Sequence, residues 1–245
     1  MSIKLIVDAI EKWCEIGRGQ TELSNLDFED RVTDPLREHT SLNFDHDIGA
    51  SKGVLIFPDE DIVIKIPLMA REWDDGEYQA ALEEHDRGEL STCPDKADYL
   101  HFFQEAENFF IETEHNWDYC ELECGIYQEA EKEGLEQYFA KEWWVADVRG
   151  YPIYAQIKVQ PFCHDRSSHS HSEEECARIS KSCRDMEVDC FNPDWIADFF
   201  KYYGEEEFKR LSDFLSKLRI YDLHTGNVGY LGPYPILLDY SNYND

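Results

Sequence analysis

Residues 221–245 read YDLHTGNVGYLGPYPILLDYSNYND, and the fold turns on them. The helical spacing of residues 194–219 stops just before Asp222-Leu-His-Thr-Gly-Asn227, whose Asp, Thr, Gly and Asn favour a loop. Val228 to Leu231 and Pro235 to Leu238 then predict a short hairpin, followed by Asp239-Tyr240-Ser241. A tight hairpin brings its two feet together, so Asn227 and Asp239 are expected side by side. An amide oxygen and a carboxylate in that position suit Mg²⁺, a hard ion that prefers oxygen ligands. Asp222 is the candidate for orienting or deprotonating an accepting hydroxyl, so the loop as a whole points to phosphoryl transfer. Taken singly, Asp222 and Asn227 are also ordinary turn formers and Asp239 an ordinary strand terminator; their joint order and spacing carry the functional reading.

Upstream, Val54 to Phe57 and Ile62 to Ile66 are two apolar runs separated by Pro58-Asp-Glu-Asp61, a predicted β-hairpin. Lys65 lies inside the second run, where a lysine is costly unless a charge meets it. Residues 70–98 are acidic and poorly patterned, an expected insertion, and residues 99–139 look helical with Gly134 near one helix end. Within them Glu123 shares a helical face with Ile126, Tyr127 and Ala130, and Glu121 is the second candidate for a buried acid. Lys141 to Asp147 and Tyr151 to Phe162 predict two more strands turning at Arg149-Gly150. The order is therefore strand, strand, helix, strand, strand. Residues 3–16 have helical spacing, residues 20–45 look irregular, residues 163–193 form a polar loop or short helix, and Gly204 breaks the helical stretch after it.

These residues together resemble the protein-kinase-like superfamily, and most of all its short bacteriophage and bacterial members. Asp222-Leu-x-x-x-Asn227 is similar to the catalytic loop, with the family's Asp-to-Asn spacing, and Asp239-Tyr240-Ser241 to the magnesium-binding Asp-Phe-Gly motif. Val63-Ile64-Lys65-Ile66 resembles the strand whose lysine holds the nucleotide phosphates, and Gly49-Ala-Ser51-Lys52-Gly53 stands where a glycine-rich loop belongs. The resemblance implies an α+β, bilobal fold: a small antiparallel N-lobe with one helix bearing the lysine's glutamate, and a minimal, truncated helical C-lobe. It implies ATP and Mg²⁺ as cofactors. Asp222, Lys65 and Glu123 would be catalytic. Gly49, Ser51, Lys52, Gly53, Lys65, Lys158 and Gln160 would bind the nucleotide, the last two through backbone groups at the adenine edge, and Asn227 and Asp239 would hold the metal. The expected parts are an extension over 1–45, the N-lobe over 46–162 and the C-lobe over 163–245. Two features depart from the family. Ile220-Tyr221 replaces the His-Arg before the catalytic Asp, and the chain closes six residues after Asp239, where a peptide-docking lobe is expected to be lacking.

Composition narrows the partners. Lys and Arg number 23 against 53 Asp and Glu, a net charge of −30. Phosphate backbones and anionic membranes are bound by clustered basic residues, so direct nucleic-acid and membrane binding are disfavoured. No apolar run reaches transmembrane length and Asp8, Glu11 and Lys12 interrupt the N-terminal one, so a cytoplasmic protein with reduced thiols is expected from its eight cysteines. Cys163, His164, His169, His171 and Cys176 match no zinc spacing and read as a polar loop. Three functions remain. One is an ATP- and Mg²⁺-dependent phosphotransferase whose acceptor is a small molecule or a protein side chain. The second is a catalytically inactive nucleotide- or partner-binding protein. The third is an acidic decoy for a basic, nucleic-acid-binding protein.

Overall fold

Alternation in Ile62-Val-Ile-Lys-Ile66 gives one strand an apolar face and a mixed face, and the architecture is built on that difference. The computed structural model describes residues 2–17, 23–103, 118–162 and 171–241, and over these the chain is α+β. Helices α1 (Ile3–Trp13) and α2 (Asp34–His39) precede strands β1 (Asp45–Ile48), β2 (Lys52–Ile56) and β3 (Ile62–Pro67). A second hairpin-like pair, β4 (Ala70–Trp73) and β5 (Leu100–Phe103), encloses α3 (Asp75–Asp86). Next come α4 (Tyr119–Glu133), β6 (Glu142–Val148), β7 (Tyr151–Ile157) and the short β8 (Gln160–Pro161). Helices α5 (Glu173–Asp185), α6 (Pro193–Tyr203) and α7 (Glu205–Lys217) lead to β9 (Val228–Leu231) and β10 (Tyr234–Leu237).

The larger sheet has the order β1-β2-β3-β7-β6, antiparallel throughout. Its register places Leu55 opposite Ile64 and Ile64 opposite Ala155, and these residues with Ile66 and Ile153 form the rear face. Ile6, Ile10, Leu23, Phe28, Val32 and Leu36 bury that face. Each such side chain removed from water contributes roughly 1.5–3 kcal/mol. On the front face the same register aligns Val54 with Lys65 and Tyr154, and Ile56 with Val63, Gln156 and Glu142. The lysine in the apolar run is thus turned away from the apolar core by strand parity alone.

Helix α4 lies on the front face. Asp118 caps its N-terminus, accepting from the Glu121 N–H at 3.0 Å, and Gly134 ends it in the left-handed conformation (φ 67°) that glycine adopts without strain. Ile126, Tyr127 and Ala130 belong to a second core with Tyr138, Phe139 and the inner faces of α5, α6 and α7. That core also packs on a three-stranded sheet, β10-β9-β8, where the fully buried Trp195 donates Nε1–H to the Gly229 carbonyl at 3.1 Å. The two cores are joined by α4 and by the β7–β8 crossing, and a cleft opens between them.

Several expectations hold: the β2–β3 and β6–β7 hairpins, α1, the break at Gly204 and the β9–β10 hairpin. Residues 23–44, expected to be irregular, instead supply Phe28, Val32 and Leu36 to the rear core through short helical turns and α2. The stretch expected as a poorly patterned insertion contains β4 and α3, and the helical expectation for 99–139 holds for α4 but not for β5. Residues 163–170 lie outside the described residues, and 173–185 form α5.

Gly53, expected in a phosphate loop, sits inside β2 on the rear face; a Cβ there would lie 2.2 Å from the Phe28 ring. Its missing side chain therefore makes room for an aromatic ring. Gly53→Ala is expected to destabilise the protein by about 1–3 kcal/mol through overpacking, measured by urea denaturation. Unchanged stability in that variant would contradict the packing described.

Candidate functional site

Five charged side chains meet where the front face, α4 and the β10 exit converge. Glu123, one of the residues on the buried face of α4, is inaccessible to solvent. Its Oε2 accepts from Lys65 Nζ at 2.7 Å and its Oε1 from Lys52 Nζ at 2.9 Å. Lys65 Nζ also donates to Glu142 Oε2 at 2.8 Å, and Lys52 Nζ to Asp239 Oδ1 at 2.5 Å and Ser241 Oγ at 2.9 Å. Glu123 Oε1 further accepts from the backbone N–H groups of Tyr240 (2.9 Å) and Ser241 (3.3 Å). One carboxylate thereby ties two strands and the Asp239-Tyr240-Ser241 segment together. Gln156 Nε2 adds a link from Glu142 Oε2 (3.1 Å) to the Leu238 carbonyl (2.8 Å).

The charges do not cancel when all five groups are ionised: two ammonium groups face three carboxylates. Burial pushes the Glu123 carboxyl up, but Lys52 and Lys65 outweigh it and hold the group well below the usual carboxylate range. Burial likewise pulls both lysines down. Asp239 and Glu123 more than reverse this at Lys52, as do Glu123 and Glu142 at Lys65, so both ammonium groups are held charged. Glu142 takes the strain of the surplus: burial and the adjacent Glu123 charge raise it well above an ordinary glutamate despite Lys65. Its Oε1 is buried without a hydrogen-bond partner among the described residues. Asp239 is raised by burial, against the pull of Lys52, and its side chain remains 33% exposed toward the cleft.

The catalytic-loop candidates stand beside this cluster. Asn227 Nδ2 donates to the Asp222 carbonyl at 2.6 Å, which fixes the loop and leaves the amide oxygen without a partner among the described residues. The Asn227 carbonyl accepts from Leu238 N (3.0 Å) and Asp239 N (3.4 Å), so the two feet of the β9–β10 hairpin do meet. A free amide oxygen and a half-open carboxylate make a donor set that fits Mg²⁺. The Asp222 side chain is 38% exposed and faces the cleft, with His224 Nε2 at 3.8 Å from its Oδ1.

The cleft has a volume of about 1000 Å³. Val54, Ile56 and Val63 line it from the sheet, Tyr230 and Leu238 from the opposite side, and Lys52, Lys65, Asp222, Asn227, Asp239 and Ser241 form its polar end. Gly49 and Ser51, in the β1–β2 turn, border it too, as does Gln160, which pairs with Tyr230. No family model, curated protein or solved structure matches this chain. No helix among the described residues is long and apolar enough to cross a membrane.

Other candidates fall differently. Lys158 is engaged with the β2–β3 turn: its N–H donates to Asp61 O at 2.8 Å and its ammonium to the carbonyls of Phe57, Pro58 and Glu60. Its N–H is thus paired within the fold, while Lys158, Val159 and Gln160 all line the cleft. Glu123, not Glu121, meets the lysines. Of the Cys/His group, Cys163, His164 and His169 lie outside the described residues; His171 pairs with Glu175 and Asp198, and Cys176 with Asp194. The described cysteines are all free thiols. Asp74, Glu77 and His101 bring ligand atoms within 4.8 Å of one another away from the cleft lining, although Asp74 already caps α3. The partners that sequence reasoning missed are Glu142, Gln156 and Ser241. Strand parity from Lys65 through Tyr154 was the available signal for Gln156 and Glu142, two positions away on the same face.

Replacing Glu142 by Gln removes the surplus charge while keeping an oxygen for Lys65 and Gln156. A carboxyl raised in the folded state binds its proton more tightly than the ordinary value of 4.5, so the wild type loses stability as pH rises above that value. Glu142→Gln escapes this loss. Its stability relative to wild type is expected to improve between pH 4.5 and pH 7 in urea denaturation; a relative decline would show an ionised, stabilising Glu142.

Proposed function

We propose that the chain is a protein-kinase-like phosphotransferase that binds ATP with Mg²⁺ in this cleft and passes the terminal phosphoryl group to an acceptor hydroxyl. The supporting observation is the Lys65–Glu123 pair at 2.7 Å, joined through Glu123 Oε1 to the backbone of Tyr240 and Ser241 beside Asp239. Two buried lysines held by three carboxylates stand beside a cleft whose sheet side is lined by Val54, Ile56 and Val63, an arrangement suited to a polyphosphate carrying a cation. On this reading the two cores on either side of the cleft are the two lobes of that fold.

Each residue then has a task. Val54, Ile56, Val63 and Leu238 enclose a flat ring system and exclude water from it. The β1–β2 turn with Gly49 and Ser51 borders the phosphates. Asn227 and Asp239 would hold Mg²⁺, which supplies positive charge to the phosphoryl oxygens. Asp222 accepts the proton of the incoming hydroxyl, held in place by the 2.6 Å bond between its own carbonyl and Asn227. The acceptor is a small molecule or a protein side chain.

A second reading has one observation in its favour. Lys52 Nζ lies 2.5 Å from Asp239 Oδ1, on the carboxylate a metal would need, as in a protein that binds a nucleotide or partner without turnover. The charge of −30 would then recruit a basic protein.

Thermal unfolding with and without ATP and Mg²⁺ separates these readings. At a hundredfold excess over its dissociation constant, ligand adds about 2.7 kcal/mol, a rise of roughly 5–10 °C for a chain of this size. Asp239→Asn is expected to abolish the Mg²⁺-dependent part. Asp222→Ala is expected to keep the shift and lower phosphoryl transfer by roughly 10²–10⁴-fold. A shift without turnover in the wild type favours the second reading, and no shift with ATP, ADP or GTP overturns both nucleotide readings.

A further inference from the structure

The two lysines are not equivalent, and their partners say which one can move. Among the described residues Lys65 bonds only to carboxylates, Glu123 and Glu142, whose side chains are wholly inaccessible to solvent. If its ammonium left, Glu142 would lose its only cationic partner and Glu123 one of two, in a place water does not reach. Lys52 is held differently. One of its bonds goes to Glu123, but the other two go to Asp239 and Ser241, on the segment that borders the cleft. Asp239 is partly open to solvent and is the carboxylate that a divalent cation would claim. Glu123, if Lys52 withdrew, would keep Lys65 and the Tyr240 and Ser241 N–H groups.

From this asymmetry, and resting on the kinase-like reading above, we propose that Lys52 on β2 is the lysine that contacts the nucleotide phosphates, whereas Lys65 on β3 is a fixed counter-ion that positions Glu123. The Lys52 ammonium neutralises Asp239 at 2.5 Å and holds Ser241 at 2.9 Å. A divalent cation competes for the same carboxylate. Once displaced, the ammonium remains at the polar end of the cleft with two of its three donors released, and a phosphate oxygen is the partner it then lacks. The β1–β2 turn brings this about. Strand β2 begins at Lys52, immediately after Gly49-Ala-Ser51, so the residue that leaves the turn is the first with its side chain on the front face. Gly53 turns to the rear face against Phe28, which keeps β2 close and holds that parity.

The test uses the full chain, with far-UV circular dichroism and a cooperative unfolding transition required of each variant. Affinities for ATP and for adenosine are measured by calorimetry in Mg²⁺ for the wild type, for Lys52→Met, and for the double variant Lys65→Met/Glu142→Gln, which removes an ammonium and its dedicated carboxylate together. Mn²⁺ affinity is measured separately by electron paramagnetic resonance without nucleotide. Lys52→Met is expected to weaken ATP about 10- to 100-fold, the range of a charge-assisted hydrogen bond, and to leave adenosine unchanged. It is also expected to bind Mn²⁺ more tightly than the wild type, because the competing ammonium is gone; a purely structural lysine has no such effect. The double variant is expected to lose stability yet keep its preference for ATP over adenosine. The proposal is overturned by Lys52→Met retaining the wild-type ATP-to-adenosine ratio, by the double variant losing it, or by unchanged or weaker Mn²⁺ binding in Lys52→Met. Wild-type protein that binds neither ATP nor adenosine overturns the kinase-like reading itself, and the phosphate role with it; the two failures are thus distinct.

Discussion

The structure depends on one buried carboxylate. Glu123 is sealed from water, yet it remains ionised because two ammonium groups and two backbone N–H groups converge on it. An ionised group in such a place is stable only when its partners are all present, so it acts as a geometric constraint. Strands β2 and β3 must lie in register, α4 must present its buried face to them, and the chain after β10 must pass close enough for Tyr240 and Ser241 to donate. Loss of any one leaves a charge or a donor stranded. A core of aliphatic side chains tolerates small shifts of its elements; this junction does not.

The same constraint explains how two hydrophobic cores share one site. The rear core is built on Leu55, Ile64, Ile66 and Ile153, and the other on Trp195, Phe199, Phe208 and their neighbours. Neither includes the charged cluster, which lies between them at the cleft. Helix α4 links the cluster to the second core: Glu123 points to the lysines, while Ile126, Tyr127 and Ala130, three, four and seven residues on, enter that core. Helical spacing alone makes this division possible, since these positions occupy one broad stripe with its N-terminal end at the sheet. Tyr154 reinforces the joint by donating to Asp118, the N-cap of α4, at 2.7 Å. Burial raises that carboxyl to about 6 even with the bond in place.

How much of this was legible depended on whether the signal was local. The stripe through Glu123 is periodic and was read from that spacing, and Lys65 inside an apolar run was read as needing a charge to meet it, which Glu123 does; the face it takes follows from strand parity. The Asp222, Asn227 and Asp239 spacing was legible because a two-strand hairpin fixes the distance between its feet. Lys52 was assigned to a glycine loop because Gly49 and Gly53 flank it; only the pairing of β2 with β3 shows that it opens a strand. Phe28, Val32 and Leu36 were hidden among acids in short turns, where no period survives, and their burial is a tertiary fact. Glu142 had a signal only through the register of the β6–β7 pair, which sets it opposite Gln156 and which the predicted turn alone did not fix. The bonds from the Lys158 ammonium to the turn carbonyls of Phe57, Pro58 and Glu60 were likewise invisible in the sequence, because they join residues about a hundred positions apart.

The overall charge sharpens the question of what the cleft can hold. A chain at −30 repels anions at long range, but that field is screened over about 8–10 Å at physiological ionic strength. The cleft lining itself carries more carboxylates (Asp47, Asp59, Glu60, Asp61, Asp222, Asp239) than lysines (Lys52, Lys65, Lys158), and within the buried cluster Lys52 and Lys65 are matched by Glu123 and Asp239, with Glu142 pushed toward its protonated form. A polyphosphate entering alone would meet two ammonium groups already committed to carboxylates. On the role proposed for Lys52, the same ligand carrying a divalent cation would bring its own partner for Asp239 and free Lys52 in one exchange. On the proposed nucleotide reading, the acidic surface and the paired lysines would favour the same ligand form, a metal-complexed anion over a bare one, by separate physical routes: a cation on the ligand reduces the charge that the surface repels, and in the cluster it takes the place of the ammonium given up.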